Sequence, residues 1–225
     1  MLILAIDTSW KHGSLALARG DARHFELVET AALTGGAFSA ELVPQIAAAL
    51  ERQKLRKQEI GGLAAVSGPG SFTGLRVGLA AIKALAEVLK KPIAMVSALE
   101  SLAIASGVTG HVCAVLDAQR GEVFLGQFNV SAESLLATPL QPESLLSHEA
   151  LLSALPPDAT LVTPDATIAA LPPPAKTKQI ARPDAEAIAR IGLRKILAGQ
   201  TVDADALDAN YVRRSDAEIF SKPSL

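Results

Sequence analysis

Residues 68 to 79, GPGSFTGLRVGL, set four glycines and a proline around two hydroxyls, Ser71 and Thr73, and one cation, Arg76. Amides of such a turn can cradle phosphate, a hydroxyl within it can serve as a nucleophile, and the same turn can simply aim a helix. No Gly-Lys-Ser/Thr follows, and the G-x-G-x-x-x-G spacing misses the dinucleotide fingerprint by one residue. What remains is a strand end, a tight turn, Ser71 as a helix N-cap and a helix start, which favours a structural turn. Neither hydroxyl has a histidine near it in sequence, so a serine hydrolase would need a distant partner such as His111. Asp7 and Asp117 each end an apolar run; the pair could hold a hydrated magnesium ion, and either could equally be a turn former. His12, His24, His111 and His148 are scattered without H-x-x-x-H spacing, so no metal site assembles locally. Cys113, the single cysteine, excludes an internal disulfide and a cysteine-based zinc cage, and within HVCAVLD it reads as a core strand residue.

The elements that must position these residues follow from periodicity. MLILAID reads as a buried strand, TSWKHG as a turn, SLALA as the returning strand and HFELVET as a third strand. SAELVPQIAAALERQKL has helical spacing, GGLAAVSG is a short buried strand, SFTGLRVGLAAIKALAEVLKK is a long helix closed by Pro92, and PIAMVSA is another strand. The opening pattern then returns: VCAVLDAQRGEVFLGQFNV again runs strand, aspartate, glycine turn and returning strand, with Asp117 in the place of Asp7. A repeat at half the chain length predicts two similar lobes rather than a solenoid. Beyond it, a proline-rich stretch carries one strand near TLVT, and DAEAIARIGLRKILAG is the clear helix of a looser second lobe. The expected division is a first lobe over 1–103, a second over 104–207 and a tail over 208–225 that packs back on the body.

With 225 residues, about half of them apolar, the chain can bury a full core, and 21 basic against 23 acidic side chains create no global field towards nucleic acid or membrane. No basic leader and no membrane-length apolar run is present, which predicts a cytoplasmic protein without a membrane partner.

Two seams mark the long helix: Phe72, Leu75, Leu79, Ile82, Ala86 and Leu89 on one side, and Val77, Ala81, Ala84 and Val88 on the other. The preceding helix carries Leu42, Ile46 and Ala49 beside Val43, Ala47 and Leu50. Such a broad apolar arc fits a deeply buried helix or a pair of helices joining two from a partner. In the second case Phe38, Leu42, Ile46, Phe72, Gly74, Leu75, Leu79 and Ile82 are the expected interface.

The paired aspartate hairpins resemble the phosphate loops of the actin, Hsp70 and sugar kinase superfamily. That implies an α/β, two-lobed, RNase H-like fold with mixed sheets flanked by helices. The first loop lacks the glycine usual between aspartate and threonine, and residues 150 to 200 show no glycine-rich adenosine segment. As a string, GPGSFTGLRVGL closely resembles the hallmark of the TsaB (YeaZ-type) family, with ILAIDTS, VLDAQRGEVFLGQF and NYVRRSDAE matching its opening hairpin, second hairpin and closing segment. Phe38 stands where many members carry histidine. The resemblance implies a non-catalytic subunit in the formation of N6-threonylcarbamoyladenosine on tRNA. Its partners would be a TsaD-like catalytic subunit and a TsaE-like ATPase, or a second copy of itself, with tRNA met through the complex. It would have no cofactor of its own, ATP and magnesium being held by the partners. Asp7, Ser71, Thr73, Arg76 and Asp117 are then candidates for the edge of a nucleotide site. The competing reading is a small-molecule acyl or sugar kinase of the same superfamily using Asp7 and Asp117.

Overall fold

In the computed structural model, the described residues are 1–131, 136–171, 176–210 and 212. Strands β1 (Leu2–Asp7), β2 (Gly13–Gly20) and β3 (Phe25–Leu33) form an antiparallel meander in which Leu2 faces Arg19 and Asp7 faces Ser14. On the other side of β1, strands β4 (Ile60–Gly68) and β5 (Ile93–Ser97) add in parallel, giving the order β3-β2-β1-β4-β5. Parallel neighbours need a crossover, and the long helices supply it: α1 (Phe38–Arg52) leads into β4 and α2 (Phe72–Leu89) into β5.

The burial of these two helices corrects the expected interface. Leu42, Ile46, Leu79 and Ile82 are 1, 5, 7 and 0 % exposed and, with Phe38, form one core against this chain's own sheet. Leu75 is also buried, in the core on the opposite face. The physical reason is that a sheet with parallel strands is covered on both faces, so the bulkier seam of each helix turns inward. What turns outward is smaller: Ala40, Val43 and Ala47 on α1, and Ala80, Ala84 and Val88 on α2, are exposed.

After β5 come α3 (Ala98–Ala105), a helix too short to announce itself by periodicity, and the hairpin β6 (Gly110–Gln119) with β7 (Glu122–Val130). The second sheet adds β8 (Ala137–Pro139), β9 (Ser144–Ser147), β10 (Thr160–Thr163) and β11 (Lys176–Gln179), in the order β11-β10-β6-β7-β8 with β9 also paired to β7. Its outer face packs on α4 (His148–Ala154) and α5 (Ala166–Ala169), and the described part of this lobe is more regular than the expected single strand. The last helix, α6 (Ala185–Leu197), follows the second sheet in sequence but packs on β1, β2, β4 and β5, which corrects its expected place in the second lobe. Gly192 permits this approach, since a Cβ there would meet Ala64. Amphipathic spacing predicts a buried face on α6 but does not say which sheet receives it.

The chain then returns along the first sheet: the Val202 amide donates to the Ile93 carbonyl at 2.9 Å and the Asn210 amide to the Ser67 carbonyl at 2.8 Å. Tyr211 and residues 213–225, with most of the NYVRRSDAE motif, lie outside the described residues. Among the described residues, no helix is long and apolar enough to cross a membrane.

Candidate functional site: a cleft between two aspartate hairpins

At the carboxyl end of β1, Asp7 is 6 % exposed and its Oδ1 accepts the Ser9 amide at 2.8 Å, so the aspartate shapes its own turn. The glycine turn presses onto this loop. A Cβ on Gly70 would run into the Ser9 carbonyl, one on Gly74 into the Thr8 carbonyl and one on Gly78 into Thr8 Oγ1. Spaced four apart, these glycines bring the first two turns of α2 against the β1–β2 loop, and hydrogen bonds hold the contact. The Ser71 amide donates to the Ser9 carbonyl at 2.7 Å and Thr8 Oγ1 to the Gly74 carbonyl at 2.7 Å. Ser71 is the N-cap, its Oγ accepting the Gly74 amide at 3.2 Å. The amides of Ser71 and Gly74 are therefore already committed within the protein. Gly74 does serve close packing, but against Thr8 of the same chain.

The second hairpin answers from the other lobe. Asp117 accepts the Gln119 amide at 2.9 Å and its side-chain amide at 2.6 Å, and its own amide donates to Asp165 Oδ2 at 3.0 Å. Arg120 and Gly121, the two loop residues, hold φ of 58° and 78°, the left-handed backbone that matches the tight twist of a two-residue hairpin. Gln119, at φ 65°, follows the register shift that ends β6.

Between the hairpins lies a cavity of about 1120 Å³. Trp10, Ser71, Phe72, Thr73, Asp117 and Phe124 are on its wall, with Asn210 and Val212 from the returning chain. Of the candidate nucleotide-edge residues, Ser71, Thr73 and Asp117 line the cavity, whereas Asp7 and Arg76 do not. Arg76 lies over the Phe72 ring at 3.7 Å.

The structure adds a residue that spacing could not reveal. Arg182, just before α6, places its guanidinium 4.6 Å from the Trp10 ring and donates to Ser9 Oγ at 3.2 Å. Burial pushes this guanidinium below its ordinary value, while the nearby carboxylates of Asp7 and Asp165 act in the opposite sense. Trp10, by contrast, left a signal: it is the single tryptophan, placed in the polar turn after a strand-ending aspartate. Among the described residues, no histidine lines the cavity and no group of three or more His, Cys, Asp or Glu side chains could hold a metal ion. Cys113 lies inside the second sheet, its thiol pushed up to about 11, chiefly by burial.

The TsaD family model, described as tRNA N6-adenosine threonylcarbamoyltransferase, matches residues 32–193. Curated relatives include the tRNA threonylcarbamoyladenosine biosynthesis protein TsaB of Bacillus subtilis, 35% identical over 130 residues, covering 57% of this chain and 55% of the relative. TsaB of Escherichia coli is 33% identical over 134 residues, covering 57% and 55%. The chain belongs to the TsaB (YeaZ-type) family. It spans about half the length of the curated family members it matches. YeaZ from Pseudomonas aeruginosa shares the fold, with a TM-score of 0.74 at 22% identity over 93% of this chain and 100% of that one. A second solved structure, described as an uncharacterized protein with similarity to peptidase YEAZ from Pseudomonas aeruginosa, gives 0.78 at 23% identity over 94% and 99%. These family structures bear out the two-sheet α/β fold.

Proposed function

We propose that this chain is a non-catalytic, cytoplasmic subunit of the assembly that forms N6-threonylcarbamoyladenosine on tRNA. It pairs with a TsaD-like catalytic subunit, with a TsaE-like ATPase as the third member; ATP and magnesium are held by those partners, and the chain needs no cofactor of its own. The observation that carries this reading is the outer face of α1 and α2. Val43 and Val88 are 63% and 71% exposed, among alanines small enough to let two further helices approach closely. A second copy of the chain can use the same face, so self-pairing and partner pairing compete. Nucleotide in the cleft would meet Ser71, Thr73 and Asp117 at its edge. A kinase role is less well supported, because Asp7 lies off the cavity wall and is faced by the protein's own Arg182. A hydrolase role is likewise poorly supported, because Ser71 is engaged as a helix cap.

The test is the double variant Val43→Glu/Val88→Glu. Since both side chains are exposed, its melting temperature should stay within a degree or two of the parent, while co-elution with the TsaD-like subunit and tRNA modification in a reconstituted assay are lost. Pairing that survives both charges removes this face from the interface. ATP turnover by the isolated chain, abolished by Asp7→Ala, would favour the kinase reading.

A further inference from the structure

The end of the first sheet opposite the cleft carries a set of cations that the proposed pairing does not use. Leu2 of β1 is registered with Arg19 of β2 and with Ile60 of β4, and Leu63 of β4 with Ile93 of β5. Lys57, just before β4, and Lys90 and Lys91, just before β5, therefore leave the sheet at the same end, on neighbouring strands. Both covering helices run down to this edge and end alike. Lys54 follows α1 at φ 55° and Lys90 caps α2 at φ 54°, each with a glutamate three residues earlier, Glu51 and Glu87. Left-handed positions at helix ends usually go to glycine, which has no Cβ to crowd the following carbonyl. Here both hold exposed lysines. Arg56 at the same edge is paired with Glu59, at 3.2 Å, whereas no ion pair within 4.0 Å engages Lys54, Lys57, Lys90 or Lys91 among the described residues. Asp7, Asp117 and Asp165 gather at the cleft end, while Glu51, Glu59 and Glu87 are interspersed with the lysines at this one.

We infer that Lys54, Lys57, Lys90 and Lys91 form a docking edge for the phosphate backbone of structured RNA. Lysine ammonium groups gathered at two strand entries and two helix ends offer partners to phosphate oxygens, and contacts of this kind position RNA without reading its sequence. The choice of RNA over other polyanions rests on the proposed role in tRNA modification; the binding itself needs no partner subunit. The lysines also lie at the negative ends of the helix dipoles, so the experiment must separate the two roles.

In filter binding of the purified chain to an unmodified tRNA transcript between 50 and 200 mM salt, the parent should bind with a steep salt dependence. Lys54→Gly/Lys90→Gly should melt no lower than the parent, glycine being relaxed at both positions, yet bind about tenfold more weakly. With Lys57→Gln and Lys91→Gln added, all four charges are removed and the salt slope should fall by about 3 relative to the parent. The inference is overturned if the parent does not bind, if the variants bind as the parent does, or if the glycine variant loses stability while its binding is unchanged. Binding of the parent to anionic phospholipid vesicles in preference to tRNA would also overturn it. Because no TsaD-like subunit is present, failure here leaves the pairing reading untouched, and loss of pairing in Val43→Glu/Val88→Glu leaves this one untouched.

Discussion

Gly74 is the residue on which the cleft end turns. Its backbone carbonyl accepts from Thr8 Oγ1, and the space where a Cβ would stand is filled by the Thr8 carbonyl. The glycine is needed for close approach rather than for a special dihedral, because its φ is not in the left-handed region. Gly74→Ala should therefore push α2 off the β1–β2 loop and cost about 1–3 kcal/mol, as overpacking in a tight core does. Thermal melting of the purified variant reads this directly, and an unchanged melting temperature would mean that the loop yields without cost. Glycine spacing made a close approach foreseeable at this residue, but the body it approaches was not foreseeable. Thr8 lies 66 residues away in sequence.

The two apolar seams of α2 differ in size more than in character, and size decided their fates. Leu79 and Ile82 fill the space over β1 and β4, while Val88 is left outside with the alanines. Periodicity reports that a helix has an apolar arc and is silent on which part of the arc meets its own sheet. Leu79→Ala should accordingly destabilise the isolated chain by about 2–5 kcal/mol, whereas Val88→Ala should change its stability by less than about 0.5 kcal/mol. Urea titration of the two variants separates them, and equal losses would contradict the placement of these faces.

Across the whole molecule, the two sheets and the returning chain meet at Glu143. This residue, between β8 and β9, accepts from the Ser97 hydroxyl at the end of β5 and from Asn210 Nδ2 at 2.7 Å. Nearby, Lys195 of α6 bonds Glu100 of α3 at 2.6 Å and the Met95 carbonyl at 3.0 Å. Burial raises both carboxyl groups above their ordinary value of 4.5, and Glu100 raises Glu143 further, while Ser97, Asn210 and Lys195 pull Glu143 back only in part. A carboxyl group with a raised pKa in the folded state keeps a proton that the unfolded chain has lost. Its contribution to stability is therefore greatest below about pH 4.5 and declines as the pH climbs through the raised value. Glu143→Gln removes one such group, so the variant's stability relative to the parent should improve as pH rises from 4.5 to 7. Parallel melting-temperature profiles for the two proteins would show that Glu143 does not titrate in this window.

The sequence by itself determined the β1–β2–β3 meander, the strand-helix order through β5, the recurrence of the aspartate hairpin at Asp117, the Ser71 cap and the family. Each of these is written in local periodicity, in turn chemistry or in one continuous motif. Tertiary structure alone decided which seams of α1 and α2 are core, that α6 crosses back to the first sheet, that Arg182 meets Ser9 and Trp10, and that the strand and helix ends bring four lysines to one edge. These relations join residues far apart in the chain. The free energy that settles them comes from filling a particular volume and satisfying particular buried polar groups, which only the packed molecule defines.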